Sequence, residues 1–427
     1  MENYANKTVT IIGLSERTGI AVAEQMRELG AKIIISDIKT ADQLHPQLAI
    51  LNKYDNIQYD LGGHSNKILD TDLIVLSPGV PSDLAIIQKA KDKGIEVISE
   101  IELAFRLTEA NIIGITGTNG KTTVTSLTGH ILKQNLNCKV RVGGNIGSPL
   151  IKEIVGLNEE DWLVVELSSF QLENIKTFHP QVSMFLNFSP DHLDRHNSVE
   201  NYWQAKRRIF ENQTNNDIAL INFDDKFIRN KLTNISPEIY KISSKNVFEK
   251  GIYFDNENIF YLEKGIKKRI LEAKDIPLIG NHNILNSSFA ALLAKIFKIK
   301  DEDIKRSVIS YKAFSHRLEI IYDKEYTIID DSKATNPHAA INALRSLSPP
   351  LIVIVGGQDR AAKFNHLAYT IRERSKKAVI LGETKHEIKN ELDKVGFKNY
   401  IIVKNMYEPV QEALKKIKKG DTILLSP

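Results

Sequence analysis

The chain has a single cysteine, Cys138, so no intrachain disulfide can form and no cage of several cysteines can hold a metal. A reducing compartment fits that scarcity, and a cytoplasmic location is expected. Nowhere do the roughly 18 consecutive apolar residues of a membrane-crossing helix occur, and residues 1–7 lack the basic segment and apolar stretch of a secretory leader. No membrane partner is expected. An excess of one charge is missing too: 57 Lys and Arg against 53 Asp and Glu leave +4, which does not ask for nucleic acid. Low-complexity linkers and short-period repeats are absent. What is present is an ordinary globular mixture, 42% hydrophobic and 26% charged. At roughly 150 residues per domain, 427 residues suggest two or three domains.

Apolar runs alternate with helical spacing along the whole length. Residues 9–14 form a short apolar run, followed by Ile20, Ala23, Met26 and Leu29 at helical spacing, then by Ile33, Ile34 and Ile35 ending at Asp37. This is a strand, helix, strand unit. A further run at 73–76 stops at Ser77-Pro78-Gly79-Val80-Pro81, where prolines and a glycine end either regular element. In parallel sheets that edge is where ligands sit. The pattern restarts at Ile112-Ile113-Gly114, with Val124, Leu127, Ile131 and Leu132 on one helical face and strands at 163–165, 184–186 and 218–221. After a pause at Ala313-Phe314-Ser315, strands at 327–329, 351–355, 378–381, 400–403 and 422–425 alternate with helices. The expected fold is α/β in three units: a Rossmann-like domain over 1–101, a P-loop ATPase-type domain with a mostly parallel sheet over 102–312, and a second Rossmann-like domain over 313–427.

The strongest local signal is Gly114-Ile115-Thr116-Gly117-Thr118-Asn119-Gly120-Lys121-Thr122-Thr123, set between a strand and a helix. Glycines let backbone N–H groups converge on a phosphate, Lys121 can reach terminal phosphates, and Thr122 offers a hydroxyl to Mg²⁺. Ile115 stands where the usual pattern has its first glycine. Glu166 ends an apolar strand, a placement that suits a magnesium carboxylate as well as a simple loop cap. Residues 187–196 pack two Asp, two His and an Arg after another strand, which reads as a metal or phosphate site or as a polar capping loop. The Gly13 loop with Asp37 lacks the second glycine of a dinucleotide fingerprint, since Ser15 occupies it, so NAD or FAD is disfavoured and a ribose or uridine diphosphate stays open. Asp330-Asp331-Ser332-Lys333 mixes acid, base and hydroxyl where a helix should start. A helix cap explains Asp331 or Ser332 but not Lys333.

Together these segments resemble the Mur ligase family. The resemblance runs through nearly the whole chain, including Gly143-Gly144-Asn145-Ile146-Gly147, Asp191-His192-Leu193-Asp194-Arg195, Gly280-Asn281-His282-Asn283 and His316-Arg317. Ser168-Ser169-Phe170-Gln171 and Asp331-Ser332-Lys333-Ala334-Thr335-Asn336 look like its D-glutamate-adding branch. The phosphate loop alone points only to the wider family, which includes folylpolyglutamate synthetase. A P-loop NTPase coupled to a protein partner is the alternative from another class.

The resemblance implies an ATP-dependent, ADP-forming ligase that joins D-glutamate to UDP-N-acetylmuramoyl-L-alanine in cell-wall precursor synthesis, with ATP and two Mg²⁺ ions. Residues 117–123 (Gly117, Thr118, Asn119, Gly120, Lys121, Thr122, Thr123) with Asn283, Asn286, Arg317 and Asp331 would meet ATP. Glu166, His192 and Thr122 would hold metal, as would Lys206 if carbamylated, because a carbamate turns an amine into a carboxylate-like ligand. With Lys121, the first two and Lys206 make up the implied catalytic set. Arg17, Thr18, Asp37, Ser77, Pro78 and Gly79 would meet the uridine diphosphate end, Asn145 and Gln171 the sugar-peptide portion, and Lys333, Thr335 and Arg360 the D-glutamate side. Arg360 stands where the family usually has lysine, and its planar fork binds carboxylates differently. A monomer is expected. Residues 421–427 read as a buried strand delivering a Ser-Pro loop; the family continues past that position with a further loop and helix, so a truncated C-terminal domain is expected, which would leave a strand-edge position with no covering helix.

Overall fold

Short runs of β-branched and leucine residues supply the strands. Glycine- and proline-bearing loops end them at the edge where side chains with chemistry collect. The computed structural model describes residues 3–312, 316–358, 363–405, 408–415 and 417–426. They fall into two units, Met1–Pro190 with Ser198–Lys245, and Asp191–Asn197 with Asn246–Pro427.

The first unit holds two parallel layers. β1 (Thr8–Ile12), β2 (Lys32–Asp37), β3 (Ile57–Leu61), β4 (Leu73–Leu76) and β5 (Glu96–Ser99) form a sheet in the order β3-β2-β1-β4-β5. That order reverses at β1, which places the loops after β1 and β4 side by side at a topological switch point. β6 (Asn111–Thr116), β7 (Val140–Gly144), β8 (Trp162–Glu166), β9 (Val182–Phe185), β10 (Ile218–Asn222) and β11 (Glu238–Ser243) follow as parallel strands in the order β11-β10-β9-β6-β8-β7. β6 is central, so its terminal loop is flanked by those of β8 and β9. The helix Lys121–Asn135 buries Val124, Leu127, Ile131 and Leu132, the face its spacing predicts.

One acid makes several of the bonds that tie the two layers. Glu102, in the helix Glu100–Arg106, is fully buried and accepts the backbone N–H groups of Lys176, Thr177 and Phe178, the Thr177 hydroxyl and the Arg106 guanidinium. These bonds hold its carboxyl below the usual range against the opposing effect of burial.

The second unit begins with β12 (Lys250–Phe254), β13 (Asn258–Glu263) and β14 (Ile266–Glu272), an antiparallel meander. The sequence reading named no strands there. The apolar signal is weak because Ile266, Lys267, Lys268 and Arg269 of β14 all face solvent. The helix His282–Ile296 packs on β12 and β13.

A third sheet has the order β15-β16-β20-β17-β18-β19. It is built from β15 (Glu319–Asp323), β16 (Thr327–Asp330), β17 (Leu351–Gly357), β18 (Ser375–Gly382), β19 (Tyr400–Ile402) and β20 (Thr422–Leu425). It is parallel except for β15 against β16. β20 lies between β16 and β17, so 422–425 is the buried strand its sequence predicts, and only the expectation of a strand-edge position there is corrected. Its adjacent residues Ile423 and Leu424, on opposite faces, are both buried, as a central strand requires. No helix among the described residues is long and apolar enough to cross a membrane.

Candidate active site

The phosphate-loop motif lies at the C-terminal edge of the first unit's second sheet, between β6 and the helix Lys121–Asn135. Two glycines make its path possible. Gly117 has φ 152°, and a Cβ there would come within 3.0 Å of Leu186 Cβ; Gly120, at φ 83°, starts the helix from the left-handed region. A reciprocal amide pair clamps the loop. Asn119 N–H donates to Asn187 Oδ1 at 2.8 Å, and Asn187 Nδ2 donates back to Asn119 O at 2.9 Å. The Thr118 hydroxyl donates to Ser189 O at 3.0 Å.

Two lysines converge on this loop. Lys121 Nζ donates to Gly117 O at 2.9 Å and Thr118 O at 2.8 Å. Lys206, 1% exposed, donates to Gly117 O at 2.8 Å and lies 4.8 Å from the centre of the Tyr202 ring. Thr122 and Thr123 open the helix, and their carbonyls accept the Ser126 hydroxyl.

Glu166 ends β8, paired with Ile115 of β6, and is 2% exposed. Its Oε1 accepts Asn145 Nδ2 at 2.7 Å, and its backbone carbonyl accepts Asn145 N–H at 2.9 Å. Oε2 is buried with no hydrogen-bond partner among the described residues. An anionic oxygen left so is the natural seat of a cation. Gln171 is buried and completes a capping box, its Oε1 accepting Ser168 N–H at 3.0 Å, so it also shapes the turn after β8.

In the first sheet, Asp37 organises the switch-point loop. Its Oδ2 accepts Leu14 N–H at 2.7 Å and its Oδ1 accepts Lys39 N–H at 2.9 Å. The Ser77 hydroxyl donates to Gly13 O at 2.5 Å, joining the loops after β1 and β4, and Pro78 and Gly79 form the turn beyond it. Thr18 starts the helix Thr18–Glu28, its N–H on Ser15 Oγ. Arg17 Nη2 lies 3.5 Å from Gly144 O.

In the second unit, Asn286 Nδ2 donates to Asn283 Oδ1 at 2.8 Å, and Asn283 Nδ2 to Ile279 O at 2.7 Å, a side-chain ladder at the start of the helix His282–Ile296. Asp331 is buried and accepts Leu318 N–H and the Ser426 hydroxyl, each at 3.2 Å. Burial pushes its carboxyl up to about 6 despite those bonds and the charge of Arg317. Lys333 and Thr335 are exposed on the following loop. Asn336 Nδ2 donates to Asp191 Oδ2 at 3.1 Å, and His192, with φ 53°, follows Asp191. Arg360 lies outside the described residues.

Each unit thus gathers its own share of the expected residues at strand ends. Sequence reasoning missed Asn187 as the loop's clamp. Its only local signal is a polar residue two positions after β9 ends.

Three family models match the chain: a "MurD-like, N-terminal domain" of Mur ligases over residues 7–99, the "Mur ligase middle domain" over 115–294, and the "Mur ligase, glutamate ligase domain" over 316–427. The UDP-N-acetylmuramoylalanine–D-glutamate ligase of Clostridioides difficile (strain 630) is 41% identical over 423 residues, covering 99% of this chain and 93% of the relative. The enzyme of the same name from Alkaliphilus metalliredigens is 38% identical over 426 residues, with the same coverage. Among solved structures, a MurF ligase from Thermotoga maritima in complex with ADP matches with TM-score 0.62 at 17% identity, covering 99% of this chain and 91% of that one. The MurC ligase of Thermotoga maritima matches with TM-score 0.61 at 19% identity, covering 98% and 95%. At such identities the likeness is one of fold.

Proposed function

The chain belongs to the Mur ligase family, and from that premise we propose that it joins D-glutamate to UDP-N-acetylmuramoyl-L-alanine, converting ATP to ADP and phosphate. The observation that carries the chemistry is the phosphate loop of β6 set beside a buried carboxylate with one unengaged oxygen. A carboxylate is a poor acyl donor. Transfer of the γ-phosphoryl group of ATP to the alanine carboxylate makes an acyl phosphate, the D-glutamate amine attacks its carbonyl carbon, and the tetrahedral intermediate expels phosphate.

Lys121 and the N–H groups of residues 117–123 bind and orient the β and γ phosphates. Asn283, Asn286, Arg317 and Asp331 bind the remainder of the nucleotide. The residues present fit a divalent cation, because Glu166 offers a buried oxygen with no hydrogen-bond partner among the described residues. Thr122, Glu166 and His192 would hold it, and when bound, Mg²⁺ would offset charge on the transferring phosphoryl group. Lys206 as an amine donates to Gly117 O and cannot ligate metal; as a carbamate it would supply oxygens to a second ion. Arg17, Thr18, Asp37 and residues 77–79 bind the uridine diphosphate end, Asn145 and Gln171 the sugar-peptide portion, and Lys333, Thr335 and Arg360 the D-glutamate. In domain terms, 1–101 takes the sugar nucleotide, 102–312 ATP and 313–427 the amino acid.

The deciding experiment is mass analysis of products after incubation with ATP, Mg²⁺, UDP-N-acetylmuramoyl-L-alanine and a panel of amino acids. A product carrying one added D-glutamate is expected. Preference for another amino acid, or phosphate release without a ligated product, would overturn the reading.

A further inference from the structure

Glu100 opens the helix Glu100–Arg106 and is 1% exposed. Its Oε1 accepts the Ile151 backbone N–H at 2.7 Å. That donor belongs to the first turn of the helix Leu150–Glu153, whose own N-cap residue, Pro149, has no side-chain acceptor to give. Glu100 caps a helix 50 residues further along the chain from another layer.

That short helix anchors the loop bearing Asn145. Gly144 N–H donates to Ser148 O at 3.1 Å, and Asn145 engages Glu166 through both backbone and side chain. The loop has little slack: a Cβ at Gly143 would come within 2.8 Å of Glu153 Cγ and 3.2 Å of Ser148 O. Arg17 meets the same loop at Gly144 O. Its charge also acts on Glu100, whose carboxyl burial raises to about 7.

We infer that Glu100 is a positioning residue for the ligation reaction: it pins the loop 144–150 so that Asn145 holds one oxygen of Glu166 and leaves the other for the cation. This rests on Glu166 being the magnesium carboxylate. Removing the acceptor leaves the buried Ile151 N–H without a partner and releases the loop, so Glu166 loses its fixed orientation. Loss of such an outer partner typically weakens metal affinity by roughly 10- to 100-fold.

The test uses the full chain with Glu100→Ala, Glu100→Asp and Glu100→Gln, and Glu166→Gln as a control. Ligation is measured with Mg²⁺ as the varied component, beside thermal denaturation. Glu100→Ala should raise the Mg²⁺ concentration for half-maximal rate by about tenfold or more and lower kcat. Glu100→Gln, which keeps one acceptor oxygen for Ile151 N–H, should stay within a few-fold of wild type. Should the alanine variant not fold, Glu100→Asp, whose shorter side chain withdraws the carboxylate, should show the same magnesium signature. A folded alanine or aspartate variant with a lowered Tm but unchanged Mg²⁺ dependence would reduce Glu100 to a structural cap and overturn the inference. So would a glutamine variant as impaired as alanine. Unchanged magnesium dependence in Glu166→Gln would instead remove the underlying reading of Glu166.

Discussion

Asn145 gives its side-chain amide to one oxygen of Glu166 at 2.7 Å, while the other oxygen of that carboxylate lies buried with no hydrogen-bond partner among the described residues. A fold optimised for stability alone would not keep such a group, since a buried acceptor without a donor costs on the order of 1–3 kcal/mol. Glu166→Gln should therefore lose ligation by about two orders of magnitude while its Tm holds or rises. Kinetics and denaturation on the same preparation check both halves. Near-normal turnover would remove Glu166 from the reaction.

Lys121 bonds two carbonyls of its own loop, Gly117 O and Thr118 O. Lys121→Ala should leave the fold intact and reduce turnover by about a hundredfold or more, the value of one preorganised charge contact to phosphate. Circular dichroism and a phosphate-release assay together decide it.

Lys206→Ala should abolish most activity, and added acetate or another small carboxylate should restore part of it if a carbamate is the working form. The buried site of this side chain leaves room for such a guest once the lysine is cut back. Activity equal to wild type without any additive would dismiss the carbamate.

Asp331 titrates upward, to about 6, because it is buried. The native state then holds the proton more tightly than the unfolded chain, whose aspartate titrates near 3.8. Stability from this group is full below that lower value, falls as pH rises toward about 6 and is flat above, for a total of about 3 kcal/mol. Asp331→Asn should accordingly gain on wild type between pH 4 and pH 6, read by denaturant unfolding at each pH. A constant difference across that range would refute the shift.

Asn187→Ala removes both bonds that clamp the phosphate loop at Asn119. At about 1 kcal/mol per bond, the KM for ATP should rise by about tenfold or more with a smaller effect on the KM for the sugar nucleotide. Equal changes in both would point to general unfolding of the edge.

The alternation of apolar runs made the parallel layers legible, because a buried parallel strand has to be apolar on both faces and its helix has to carry a stripe. Residues 112–116 and the stripe Val124, Leu127, Ile131 and Leu132 are of this kind, and so is the glycine loop between them. β12–β14 were not legible, since a meander with an exposed charged strand carries no such pattern. The supporting polar residues were hidden for a different reason. Glu100 reads locally as an acid favoured in a helix's first turn, and Asn187 as a loop amide, yet their partners lie 51 and 68 positions away. Periodicity reports which way a side chain faces, and only the folded chain reports what it meets.

The cradle around Glu102 bears on how this chain can be cut. Its backbone donors, Lys176, Thr177 and Phe178, come from beyond β8, whereas the acid itself precedes β6. A gene fragment ending after the first sheet would carry the acid without those donors, and the complementary fragment would carry donors without the acid. Expressed apart, the halves should be poorly soluble; co-expressed, they should find each other, which makes the stretch between Arg106 and Asn111 a natural seam for a split, reassembling version of this protein.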